Sequence, residues 1–255
     1  RYYYHKIDPV YSTQKPWVAE GERWDWVAIY DYQRDPAGNI VHGSDGFPLV
    51  NKFTTLKGYS EPDWIWGLST SVNWKGITLS ITIDGRVGGV GYSMTDQAMW
   101  NSGAHIDSDN QYRYEEVVNN NKTFTGQGVK VVSGKAEWDA NGNVIMDNRV
   151  FAPNDKVVSY QDYMMNTNPY ASGDNKRAQN WFDKTFIKLR DLSISYEIPQ
   201  SVCQKIGMKG ASVGFVGQNL LMWAKEFRFS DPDKVQDALS SPSIRYMGFN
   251  VKFDF

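Results

Sequence analysis

The segment IWGLSTSVNWKGITLSITIDGR, residues 65–86, changes character at every step along the chain. In its first half Trp66, Leu68, Thr70, Val72 and Trp74 fall on one side of an extended backbone, and Gly67, Ser69, Ser71 and Asn73 on the other. A period of two is what a β-strand with one apolar and one polar face requires. Lys75-Gly76 follows as a two-residue turn, with glycine where a tight hairpin needs positive φ. The alternation then resumes, with Ile77, Leu79, Ile81 and Ile83 opposed to Thr78, Ser80, Thr82, Asp84 and Arg86. The segment reads as a long antiparallel hairpin.

A soluble β-sandwich shows the same period, because it too alternates inward apolar and outward polar residues. Strand length and aromatic placement separate the two cases. Strands that cross an outer membrane need about 9 to 11 residues, with aromatic girdles at both interfaces. Trp66 and Trp74 bracket one such strand. Three more are predicted at residues 187–198, 211–223 and 244–255. In the last, Met247, Phe249, Val251, Phe253 and Phe255 alternate with Tyr246, Gly248, Asn250, Lys252 and Asp254. A further strand is predicted over residues 24–34, ending at the turn signals Asp35-Pro36 and Gly38-Asn39. About six spanning strands are expected, or eight at most.

The connections alternate in length. Lys75-Gly76 is short and residues 199–210 moderate, whereas residues 88–184 form a long polar stretch and residues 224–243 a second long loop. Short turns on one side and long loops on the other are the habit of outer-membrane barrels. The parity holds when the long stretch contains an even number of spanning strands, or none.

Composition agrees. Aromatic residues make up 15% of the chain, with ten Trp and fifteen Tyr, and 22 Gly supply turns. The formal net charge of −2 provides no basic footprint, so nucleic acid is excluded as a partner. Cys203 is the single cysteine, which rules out an internal disulfide framework. His5, His42 and His105 are far apart and have no zinc-ligand spacing, so neither metal nor cofactor is expected. No apolar run approaches the roughly 20 residues of a spanning helix; a membrane role therefore requires a barrel. The first residues, RYYYHKIDPVYSTQ, lack the basic start and apolar core of a signal peptide.

Several motifs are set aside. Asp107, Asp109 and Gln111, and separately Asp139, Asn141 and Asn143, begin like calcium loops, yet Tyr112 and Val144 stand where glycine belongs, and Val118 and Val150 where a bidentate Glu belongs. Asn141-Gly142 reads as a hairpin turn instead. Gly85, Gly88, Gly89 and Gly91 have no following helix pattern to direct at a phosphate. No Ser, His and acid set has motif context, so an enzyme is not expected.

FIKLRDLSISYEIP, residues 186–199, resembles the late strand of SusC/RagA-like TonB-linked outer-membrane proteins. GQNLLMWAKEFRFSDPD, residues 217–233, is similar to that family's Gly-Gln-Asn-Leu strand end and Asp-Pro-acidic loop, and the chain closes with GFNVKFDF. Upstream, PDWIWGLSTSVNWKGITLSITIDGRVGG resembles its Pro-aromatic-Gly strand, Lys-containing hairpin and Gly-rich exit, and GNVIMDNRVFAPN a loop found in some members. The resemblance implies an all-β fold: antiparallel transmembrane barrel strands, the C-terminal part of a barrel of about 22 strands, with long extracellular loops. It places residues 1–255 in one barrel domain and residues 88–184 in an extracellular loop region. Neither the family's plug domain nor its TonB-contacting segment is visible, so TonB and the remainder of barrel and plug are partners met through missing sequence. The implied function is TonB-driven import of an oligosaccharide or peptide across the bacterial outer membrane, with a SusD-like surface lipoprotein over the barrel.

Within that frame Trp66, Trp74, Tyr196, Trp223 and Phe253 are girdle candidates facing outer-membrane lipid. Ser69, Ser71, Asn73, Thr78, Ser80, Asp84, Arg86, Asp191, Ser193 and Glu197 are expected to line a hydrated lumen or meet the plug. Phe255, a terminal aromatic, resembles the signal read by the barrel-assembly machinery. The long loop carries many aromatic residues, among which Trp100, Trp138, Tyr163 and Trp181 are candidates for cargo contact. The alternative is a soluble or surface carbohydrate-binding β-sandwich, in which a second sheet covers the apolar faces.

Overall fold

The computed structural model describes residues 23–51, 55–139, 144–168, 178–234, 237, 239 and 243–255. Strands predominate and pair antiparallel, apart from one short parallel pairing, so the chain is all-β. No described helix is long and apolar enough to cross a membrane. Two compact units divide the chain, one from residues 1–60 and 92–181, the other from residues 61–91 and 182–255.

The second unit is a five-stranded sheet whose spatial order follows the chain. Its strands are β1 (Trp64–Trp74), β2 (Ile77–Val87), β3 (Phe186–Glu197), β4 (Gly210–Ala224) and β5 (Tyr246–Asp254). Their lengths, from 9 to 15 residues, meet the spanning requirement. At the β1–β2 turn Lys75 and Gly76 both have positive φ, 48° and 81°, as a two-residue hairpin demands. A short helix, Gln200–Cys203, joins β3 to β4. Among the described residues β1 and β5 are paired on one side only.

A one-residue bulge keeps the sheet two-faced. Along residues 186–197 a strict period of two puts Ile187 and Leu189 on the same side as Asp191 and Ser193, which no single environment suits. Leu189 instead pairs with Ile83 and Asp191 with the adjacent Thr82, leaving Arg190 as the extra residue. The frame shifts there, so Ile187, Leu189, Leu192, Ile194 and Tyr196 share the apolar face, and Lys188, Asp191, Ser193 and Ser195 the polar one.

The first unit carries helices α1 (Met94–Ser102), α2 (Gln111–Val118) and α3 (Tyr160–Thr167) among strands of two to five residues. Ser93, Asn110 and Ser159 cap the three N-termini, each accepting from backbone amides of the first turn. Its core gathers Ile29, Tyr32, Val41, Val158, Tyr160 and Tyr163, with Phe124 edge-on to Tyr160 and Tyr163 at 5.2 and 4.9 Å.

Two expectations are corrected. The strand over residues 24–34 shrinks to Trp26–Ile29, which pairs with Thr55–Tyr59 in the first unit, because Tyr32 and Arg34 make isolated bridges instead and Ile29 and Tyr32 turn into that core. Five strands of spanning length are therefore present among the described residues rather than about six. A helix, α1, does begin just beyond Gly91; it is short, held by the Ser93 cap and the left-handed Gly103. Residues 88–184 hold no described strand of spanning length, and β2 pairs directly with β3. The Asn141-Gly142 turn lies outside the described residues, though its flanks, Ala136–Trp138 and Val144–Asp147, pair antiparallel.

Candidate functional site

The apolar face of the sheet is uncovered. Trp74 is 64% exposed and Phe249 82%, and Leu68, Val72, Ile194, Val213, Met247 and Val251 are open beside them. Register places the aromatic residues in two rows. Trp66 pairs with Gly85, Gly85 with Ile187 and Ile187 with Trp223; eight residues on, Trp74 pairs with Ile77 and Ile77 with Tyr196. At about 3.3 Å per residue the rows stand about 26 Å apart along the strand, close to the roughly 25 Å apolar band of an outer-membrane barrel. Gly85 makes room for the first row: a Cβ there would come within 2.7 Å of the Trp66 ring.

The opposite face is a ladder of hydroxyls and amides. Ser69 meets Thr82 at 3.0 Å, Ser71 meets Ser80 at 2.9 Å, and Asn73 donates to Thr78 at 2.7 Å. Across the bulge Gln218 donates to Asp191 at 3.1 Å. The expected lumen residues Ser69, Ser71, Asn73, Thr78, Ser80, Asp84, Asp191 and Ser193 therefore occupy one face.

Toward the end of β2 and the start of β3, beside the bulge, that face carries charge. The loop after β4 folds onto it: Lys188, 2% exposed at its side chain, donates to Asp231, 1% exposed, at 2.5 Å. Ser243 also donates to Asp231, and the Lys188 ammonium lies 5.2 Å from the ring of the buried Phe186. Asp233 accepts from Arg190 at 2.6 Å and pairs with Arg86 at 3.0 Å, while Arg190 forks onto both oxygens of Asp84 at 2.6 and 2.8 Å. Burial alone would raise the Asp231 carboxyl; hydrogen bonds from Lys188, Ser243 and the Asp233 amide outweigh it and hold the group below the ordinary carboxylate range. This cluster was not foreseen. The traces it leaves in sequence are a lysine between Ile187 and Leu189, the Arg190-Asp191 break in alternation, and the Asp-Pro-Asp loop.

The four aromatic candidates in the first unit have separate surroundings. Trp100 stacks on buried His105 at 4.1 Å and lines a cleft between the helices. Trp138 lies 5.9 Å from the Arg149 guanidinium. Tyr163 is 8% exposed, and its hydroxyl meets His42 Nε2 at 3.0 Å; burial pushes its phenol up to about 12. Trp181 packs against Tyr92 at 5.5 Å. Phe255, 80% exposed, lies just beyond β5, where its backbone carbonyl accepts from Lys209.

The geometry defines an up-and-down antiparallel sheet with one uncovered apolar face and one polar, charge-bearing face. No protein-family model matches the sequence, and no curated protein matches it. Among solved structures the chain is similar to the RagAB peptide importer in its open-open state (TM-score 0.48, 17% identity, 89% of this chain and 22% of that one). It is similar also to the closed-closed state (0.47, 18%, 90% and 23%). A structure described as the RagAB peptide transporter gives 0.46, 17%, 90% and 22%. The chain thus spans less than a quarter of the length of the solved chains it matches.

Proposed function

We propose that the five-stranded sheet is part of the wall of an outer-membrane β-barrel and that the protein is a TonB-dependent transporter of the SusC/RagA-like kind, not an enzyme. The observation that carries this reading is the uncovered apolar face bounded by two aromatic rows. In water so large a greasy surface on a folded sheet is a liability; against lipid it is the required solvent contact, and a closed sheet leaves no backbone group unpaired in the bilayer. The polar face then borders an aqueous lumen, and the remaining strands of a barrel of about 22 continue from the two edges.

On this reading residues 1–255 belong to one barrel domain and residues 88–184 lie outside the cell. The cargo is an oligosaccharide or a peptide, handled with a SusD-like lipoprotein, and coupling to TonB runs through a plug and contact segment elsewhere in the protein. Trp100, Trp138, Tyr163 and Trp181 are the aromatic candidates for cargo contact, and Phe255 is the assembly signal.

Single cysteines test the two faces, since the native Cys203 is buried. A fluorophore placed at position 249 is expected to be quenched by nitroxide-labelled lipid in reconstituted vesicles, and one at position 250 to be spared. Equal quenching at both positions, or none at either, removes the barrel reading and favours the soluble carbohydrate-binding sandwich.

A further inference from the structure

In the first unit a cleft of about 190 Å³ opens between α1, α2 and α3, walled by Trp100, Val117, Tyr160 and Met165. Taking about 30 Å³ per water molecule, it holds roughly six, enough for one large side chain. Val117 is 73% exposed and Met165 stands open beside it, so the entrance is apolar. Methionine walls reshape around more than one guest.

Two charged side chains reach the cleft, and they are in different situations. Both oxygens of Glu116 are engaged: Oε1 accepts from the Ser159 hydroxyl and Oε2 from the Tyr160 amide, each at 2.5 Å, so this carboxylate closes the N-terminus of α3. Arg113 is held through one nitrogen only. Its Nη1 donates to the Gly103 carbonyl at 2.7 Å and to Ser108 Oγ at 2.9 Å, which fixes the guanidinium plane. Among the described residues its Nε and Nη2 make no hydrogen bond, and no carboxylate pairs with it. That free edge is a two-pronged donor matched to the two oxygens of a carboxylate.

We propose that this cleft binds a carboxylate bearing one bulky apolar group, with the apolar group between Trp100 and Met165 and the carboxylate on the free edge of Arg113. The C-terminal residue of a peptide has this chemistry when its side chain is large and apolar, and so does a short free fatty acid. The site stands on the cleft alone and is independent of the barrel reading.

Calorimetric titration of the intact protein in detergent tests it with N-acetylphenylalanine, the corresponding amide, and hexanoate. The acid is expected to bind and the amide to bind at least about tenfold more weakly, the loss that goes with a charge-assisted hydrogen bond. Arg113→Gln should weaken the acid by a similar factor and leave the amide unchanged. Because Arg113 also ties down Gly103 and Ser108, Val117→Glu provides a second variant at an open position, where a like charge should repel the acid. Tighter binding of N-acetylphenylalanine than of hexanoate identifies a peptide end as the ligand, and the reverse order a free acid. Equal affinity for acid and amide, or unchanged affinity in both variants, overturns the proposal.

Discussion

In the unit built from residues 1–60 and 92–181, Tyr160 and Tyr163 are buried and their hydroxyls meet Asn110 and His42, whereas in the sheet unit Trp66, Trp74, Phe249 and Phe253 stand uncovered. Charge runs the other way. In the first unit the buried Asp25 is paired with a half-open Arg23, while the sheet unit buries both members of the Lys188–Asp231 pair on its polar side. One chain thus follows two burial rules. The first unit gathers its tyrosines inside, as a protein in water does; the sheet leaves its apolar side uncovered, which is the arrangement the proposed membrane wall requires.

The largest test of this contrast deletes Arg190. Without the bulge residue, Asp191, Ser193 and Ser195 slip onto the apolar face, a change expected to exceed the whole stability margin of about 5–15 kcal/mol and to leave no assembled protein in the membrane fraction. Arg190→Ala keeps the backbone count and should still assemble. Assembly of the deletion variant at wild-type level would break the two-face account.

Next in size is Lys188→Met, which strands Asp231 as a buried, unpaired carboxylate and is expected to cost about 3–5 kcal/mol in denaturant unfolding. Combining it with Asp231→Leu should restore much of that, because an apolar pair of similar volume needs no counter-charge. A double variant as weak as the single one would show that the pair does more than neutralise itself.

Phe249→Arg sharpens the comparison most directly. At a lipid-facing position level with Val72, two residues inside the Trp74 row, an arginine costs about 1–2 kcal/mol, between the midplane and interface values; at a water-facing position 82% exposed the same change stays within about 0.5 kcal/mol. Unfolding titrations in lipid vesicles distinguish these outcomes.

The smallest effect belongs to the first unit and depends on pH. The folded pKa of Tyr163, about 12, lies above its ordinary value of 10, so the folded state favours the protonated phenol. Its contribution is complete below pH 10 and is lost as pH rises through 12. Tyr163→Phe should remove that alkaline loss and cost about 0.5–1.5 kcal/mol at neutral pH, the worth of its hydrogen bond to His42. An unchanged alkaline profile in the variant would place the loss elsewhere.

Much of the sheet was legible because strand periodicity is a local property. Residues 65–86, 187–198, 211–223 and 244–255 alternate strongly, and the strands found there differ from expectation by two residues or fewer at most ends. The bulge could be noticed only as the awkward Arg190-Asp191 step, since its resolution depends on the register with β2. The first unit was far less legible. Its helices are eight or nine residues long and held by caps and by aromatic contacts between segments distant in sequence, such as Tyr163 with His42 and Phe47. The charged cluster joins Asp84, Lys188 and Asp231, residues that periodicity cannot relate. For the same reason the free edge of Arg113 leaves no trace in sequence: it follows from which partners its neighbours have already taken.

The single-sided pairing of β1 and β5 among the described residues has a practical side. Each outer strand presents a comb of amide donors and carbonyl acceptors, eleven residues long on one flank and nine on the other. A fragment consisting of this sheet alone would find its best available neighbour in another copy of itself, and each copy added would renew the flank it had just covered. Stacking of that kind has no natural stopping point, so cutting the segment out of its parent chain is a recipe for fibres unless flanking strands travel with it.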